Sequence, residues 1–210
     1  RLVSLESEVN NRYIMKGALE STELNRVDEA IGKLEGVNLF IDECKDSSLR
    51  YLLNKVRQYV ITKEVKFVLV DYLQLVKGSG TSREQEVAMV ARELKNLAKE
   101  LNITIVALSQ LSRGVERRDG CRPSLSDLRE SGEIEQASDI VMLVYRPEYY
   151  GIMADDSGKS TEGLVDLIFA KGRNIGTGTL PLKFKKEYTK FIDPQDYTEK
   201  FISAQPSESF

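Results

Sequence analysis

The stretch FVLVDYLQL, residues 67–75, decides how the chain is read. Its first four residues are apolar, three of them aliphatic and two of those β-branched. The run is too short and too uniform for an amphipathic helix, and it predicts a strand buried on both faces of a sheet. Asp71 closes it. A carboxylate at the end of an apolar strand is costly unless its charge is offset. One offset suited to that place is Mg²⁺ carried by a triphosphate, with the aspartate holding the metal through water. Such chemistry also needs a glycine-rich loop of the form Gly-x-x-x-x-Gly-Lys-[Ser/Thr]. Its backbone N–H groups wrap the phosphates and its lysine reaches their terminal oxygens.

No stretch has that spacing. The nearest is GIMADDSGKS, residues 151–160, in which six residues separate the glycines and Met153 stands where the first glycine belongs. Asp155 and Asp156 would repel phosphates, and no helical pattern follows Ser160. A polar surface loop is the expectation here.

Outward from Asp71, strand-like and helix-like segments alternate, the pattern of an α/β fold with a mostly parallel sheet flanked by helices. The strand-like runs are 2–5, 37–41, 65–70, 103–108, 140–145 and 164–170. Runs 179–184 and 190–192 predict an antiparallel hairpin near the C-terminus. The clearest helix follows Ser82, where Val87, Val90, Ala91, Leu94, Leu97, Ala98 and Leu101 form one apolar stripe, and Ser82 with Gln85 suggests a capping box. A second helix follows Asp46, with Leu49, Leu52, Leu53 and Val56 on one face. Loops are expected at 77–83, 113–126 and 149–161. Residues 1–193 read as one domain and 194–210 as a polar, poorly ordered tail.

Composition excludes several classes. There is no histidine, so Cys/His zinc sites and histidine-based nucleophilic triads are ruled out. Cys44 and Cys121 sit in unrelated contexts and read as lone reduced thiols. No apolar run approaches the ~20 residues of a membrane span. The net charge of −3 gives no global basic signature, so any nucleic-acid contact must be local. Arg113, Arg117, Arg118 and Arg122 supply one basic cluster.

Read in order, VDYLQL, NLAKELNITIVALSQLSR, RPSLSDLRESGEIEQASDIVMLVYRPEYY and IFAKGRNIGTG closely resemble the C-terminal ATPase domain of DnaB-type replicative DNA helicases, a branch of the RecA-like fold. The resemblance runs from about residue 2 to 184. In that family the phosphate loop lies on the strand-loop-helix unit just before a Ser-Leu-Glu motif, which here is Ser4-Leu5-Glu6. The resemblance therefore implies a RecA-like sheet lacking its phosphate-loop strand, with that loop upstream of Arg1. The sheet is then expected to show a gap, a collapse or a replacement strand.

The resemblance also implies roles. Glu6 is the base that orients the attacking water; a first-turn helical glutamate is the plain alternative. Asp71 is the Mg²⁺-associated carboxylate, against a strand-ending turn residue. Gln110 is a polar sensor of the γ-phosphate, against a satisfied strand-end amide. Lys171 and Arg173 reach the neighbouring subunit's nucleotide, against plain surface charge; a guanidinium given in trans is worth on the order of 10³–10⁵ in rate. Arg129, Glu130 and Gly132 form the DNA-binding loop, with Arg113 and Arg122 nearby. For Arg117 and Arg118 a solvated Arg/Glu loop is a credible alternative. The scarcity of aromatic residues argues against base stacking as the main contact.

The expected function is an ATP- and Mg²⁺-dependent DNA helicase motor. It would be hexameric, 5′→3′ on single-stranded DNA and cytoplasmic, with primase and a helicase loader as partners, and inactive as the 210-residue chain alone. Two alternatives stand beside it. One is a RecA-like recombination or repair ATPase; the other is a non-catalytic DNA- or partner-binding relative.

Overall fold

The computed structural model describes residues 1–43, 46–128 and 132–193. The expectations for Cys44, Arg129, Glu130 and the 194–210 tail lie outside these residues. The chain divides into two compact units. The first holds Arg1–Ile41, Arg146–Leu167 and the described residues from Leu180. The second holds Asp42–Tyr145 and Ile168–Thr179.

The second unit is built on FVLV. Strand β1 (Phe67–Val70) runs parallel to β2 (Thr104–Ala107), with Phe67 opposite Thr104 and Val70 opposite Ala107. Helix α5 (Arg83–Leu101) is the crossover between them. Its predicted stripe is its packed face: Val87, Val90, Leu94 and Leu97 are buried. Burial of each such side chain contributes about 1.5–3 kcal/mol. Helix α4 (Leu49–Lys63) adds Leu49 to the same core, with Leu52 and Leu53 against it. Ser48 caps α4 by accepting from the Tyr51 N–H at 3.3 Å.

At the start of α5, Ser82 Oγ accepts from the Gln85 N–H, the first half of a capping box. The second half differs from expectation. Gln85 Oε1 accepts from the N–H and hydroxyl of Thr81 rather than from Ser82 N–H. The glutamine thus ties down the loop before the cap.

The expected two-sided burial of β1 is not seen. Side chains alternate across a strand. Val68 and Val70 therefore face the helices, while Phe67 and Leu69 stay 59% and 58% exposed. No described element covers that side. Strand β3 (Ile140–Tyr145) behaves alike: Val141, Leu143 and Tyr145 are buried, and Ile140, Met142 and Val144 are exposed.

β3 opens a four-stranded sheet of order β3-β4-β5-β6, with β4 Leu164–Gly172, β5 Gly178–Lys185 and β6 Lys190–Ile192. The predicted hairpin is present: β5 and β6 are antiparallel, with Lys183 opposite Ile192. Among the described residues this sheet does not pair with β1-β2, so the strands form two separate pieces.

The first unit departs most from expectation. Residues 2–5 are not a strand; they lie in helix α1 (Leu2–Ser7). A short apolar run is ambiguous between strand and helix by periodicity. Here Ser4 Oγ donates to Val9 O at 2.6 Å, and Arg26 donates to the carbonyls of Ser7 and Glu8, satisfying the helix end. Run 37–41 is not a strand either. No strand is assigned to it, and Val37, Leu39 and Ile41 are exposed. Helices α2 (Asn11–Lys16) and α3 (Ser21–Glu35) were not expected. The start of α3 is capped by a Glu20–Glu23 box rather than by the commoner Ser, Thr, Asp or Asn.

Candidate nucleotide and DNA site

The parallel register of β1 and β2 sets their C-terminal ends side by side. Ligand groups gather at such strand ends in open α/β sheets. Asp71 follows β1 directly and is exposed. Gln110 lies three residues beyond β2 and is also exposed. A third residue joins them. Gln74, in the 3-10 turn Leu73–Leu75, accepts the Gln110 N–H at 3.2 Å and donates to Ser109 Oγ at 3.0 Å. The amide stitches the end of β2 to the turn after Asp71. Sequence reasoning passed over Gln74, although a polar residue inside the apolar Leu-Gln-Leu was the available signal.

Glu6 belongs to the first unit. It sits in α1, not at a strand end, and its Oε1 is 3.0 Å from Lys33 Nζ. This carboxylate holds the Lys33 ammonium above its usual pKa.

Asp71 stands alone as a metal-binding candidate. Among the described residues no cluster of three or more carboxylate or cysteine groups could hold a metal. A single exposed carboxylate still suits Mg²⁺ delivered on a triphosphate. That ion keeps several waters and takes one or two protein carboxylates plus phosphate oxygens.

Lys171 and Arg173 flank Gly172 at the end of β4. Neither is loose surface charge. Lys171 Nζ donates to Glu135 O, and Arg173 Nη2 donates to Gln136 O at 2.7 Å. Both carbonyls belong to helix α6 (Gly132–Ala137), which begins at the predicted DNA-loop glycine. Gly172 is required on steric grounds: an added Cβ would lie 2.4 Å from Ile175 Cγ1 and 2.5 Å from Ile175 O.

The basic cluster of 113–122 separates into two kinds of residue. Arg113 and Arg117 are exposed at the ends of a 3-10 turn. Arg118 is a clamp. Its two terminal nitrogens reach both oxygens of Asp127, at 3.0 and 2.7 Å, and it also donates to Arg122 O. Asp127 is 5% exposed and further accepts the N–H and hydroxyl of Ser124. Burial would raise its pKa, but the Arg118 and Ser124 donors outweigh it and hold the carboxyl below its ordinary value. Arg122 lies over the Tyr145 ring at 5.3 Å and donates to Thr179 Oγ1 at 3.4 Å. Tyr145 in turn donates to Gly120 O at 2.6 Å. The segment entering the predicted DNA loop is thus fixed from two sides.

The Gly-Lys-Ser decoy is a self-satisfied loop. Asp155 Oδ1 accepts from Ser157 N–H, Ser157 hydroxyl and Lys159 N–H, and the chain closes through an Ala154–Ser160 bridge. The amides a phosphate would need are already bound to a carboxylate.

A family model described as the DnaB-like helicase C terminal domain matches residues 1–193. The Bacillus subtilis protein named replicative DNA helicase DnaC is 39% identical over 196 residues, covering 92% of this chain and 42% of that one. The Geobacillus stearothermophilus replicative DNA helicase DnaB is 38% identical with the same coverage. The chain therefore spans less than half the length of the curated relatives it matches. Among solved structures, a DnaB-like replicative helicase, studied for its interactions with primase, superposes with a TM-score of 0.82 at 35% identity, over 92% of this chain and 46% of that one. A second solved chain, described as an ATPase domain, also gives 0.82 at 35%, over 92% and 69%.

Proposed function

The chain belongs to the family of DnaB-like helicase C-terminal domains, and from that premise we propose that it is the larger part of the motor of a ring-forming replicative helicase, hydrolysing ATP to move 5′→3′ along single-stranded DNA. The observation that carries this reading is the family match over 1–193 together with Asp71 and Gln110 at adjacent parallel strand ends.

Asp71 would hold Mg²⁺ through water, and the ion would supply charge neutralisation to the phosphates when bound. Gln110, tethered by Gln74, contacts the γ-phosphate with an uncharged amide that changes partners at small desolvation cost. Glu6 orients the attacking water and gives up Lys33 to do so. Lys171 and Arg173 act on the nucleotide of the next subunit, which makes a homo-hexameric ring the working assembly. Arg129, Glu130 and Gly132 contact the DNA backbone, with Arg113 and Arg122 at its flank. The phosphate-cradling loop comes from outside these 210 residues, since no Gly-x-x-x-x-Gly-Lys-[Ser/Thr] occurs within them. Primase and a loader are the proposed protein partners, and the cytoplasm the proposed location. Among the described residues no helix is long and apolar enough to cross a membrane.

The test is single-stranded-DNA-stimulated ATP hydrolysis by the 210-residue chain and by the intact product of its gene. Activity in the intact product alone is expected. Inactivity in both would favour a non-catalytic binding module, and activity in the short chain would return attention to Gly158-Lys159-Ser160.

A further inference from the structure

Three cations converge where α6 ends and β3 begins. Lys171 Nζ donates to Glu135 O and Arg173 Nη2 to Gln136 O. The last carbonyls of a helix are left unpaired and carry partial negative charge, so cations settle there. Arg173 is held a second time, by Asp139. Its backbone N–H donates to Asp139 O at 2.9 Å, and its Nη1 lies 3.4 Å from Asp139 Oδ1. The other carboxylate oxygen, Oδ2, pairs with Lys95 of α5, whose side chain is only 21% exposed. Lys95 holds the Asp139 carboxyl below its ordinary pKa, so the group is charged at neutral pH.

We propose that Asp139 is a positioning residue for Arg173: it fixes that residue at backbone and side chain, is itself fixed by Lys95, and so presents the guanidinium in one orientation to the nucleotide of the next subunit. The proposal rests on the reading of Arg173 as the cation given in trans. A long side chain loses rotamer freedom whenever it is ordered. Ordering it beforehand removes that loss from the step in which it acts. Of its acceptors among the described residues, only Asp139 engages both ends of the residue and is anchored in turn by a second element. The Gln136 carbonyl makes one contact, to Nη2.

The experiment is steady-state ATP hydrolysis by the intact gene product, with saturating single-stranded DNA, for Asp139→Asn, Asp139→Glu, Arg173→Ala and the double variant Asp139→Asn/Arg173→Ala. Arg173→Ala should lower kcat on the order of 10³-fold. Asp139→Asn should lower kcat about tenfold to a hundredfold with KM for ATP little changed, and Asp139→Glu should recover part of the loss. The double variant should be no slower than Arg173→Ala, because a residue acting only through Arg173 has nothing left to act upon. A double variant slower by the full single-variant factor would show a general structural role and overturn the proposal, as would Asp139→Asn at wild-type kcat. Wild-type kcat in Arg173→Ala would instead overturn the underlying reading, and the proposal with it. Should Asp139→Asn fail to fold, Lys95→Met carries the test: a smaller kcat loss, absent in the Arg173→Ala background, is expected, and a loss that persists there refutes the idea.

Discussion

Asp127 is a nearly buried carboxylate gripped by a guanidinium that is itself 43% exposed. Its folded pKa lies below the ordinary value of about 3.9 for an unfolded aspartate. The stability it contributes is therefore complete above about pH 4 and is lost as pH falls through the folded value. In urea unfolding, Asp127→Asn should show a flatter decline below about pH 4 than the parent; parallel acid limbs would contradict this. Asp127→Ala should cost about 1–3 kcal/mol, from the stranded Ser124 donors more than from the half-solvated Arg118. Gln74 gives a prediction of another kind. Gln74→Ala unties the Gln110 backbone without opening the core. In the intact gene product it should lower ATPase kcat about tenfold while the thermal midpoint barely moves. An unchanged kcat would make the tether dispensable. The carboxylate at 71 was legible from its strand alone, but the tether required knowing that β1 and β2 are neighbours.

Among the elements, α5 shows how far a 3.6-residue stripe reaches. Its period-matched residues are those that pack, and Leu97, 1% exposed, is the sharpest probe. Leu97→Ala should cost about 2–5 kcal/mol, seen as a lowered thermal midpoint, because the packed surroundings cannot fully collapse into the space. The β4–β5 connection depends on sterics instead. Gly172→Ala puts a methyl into Ile175 and should cost about 1–3 kcal/mol by shifting the backbone. It should also lower ATPase activity in the intact product, since Lys171 and Arg173 flank the displaced residue. A variant with parental stability and activity would show that the turn relaxes freely. By contrast, α1 was misread because Leu-Val-Ser-Leu is too short for either periodicity to declare itself. Helix α3 opens on a glutamate rather than on one of the commoner N-cap residues, so its start carries a weaker sequence signal.

At the scale of the whole molecule, β1 and β3 each show an apolar side that no described element covers, and among the described residues β1-β2 does not pair with the four-stranded sheet. Exposed apolar strand faces and open edges promote association. The isolated 210-residue chain should therefore self-associate with rising concentration in sedimentation velocity, and Met142→Lys should weaken this. A monomer at every concentration tested would mean these surfaces are protected in solution.

The sequence by itself determined the order of chemistry-bearing segments, the β1–α5–β2 unit and its packed stripe, the terminal hairpin, and the family resemblance that the comparisons bear out. These are local signals: strand and helix periods, and motifs at fixed spacing, are complete within a short window. Only the tertiary structure decided that β1 is covered on one side, that 2–5 is helical, that Arg118 grips Asp127, and that Lys171 and Arg173 rest on the end of α6. Each depends on what lies opposite in space, and Arg173 meets Asp139 across 34 residues of chain, a separation over which no periodicity carries information.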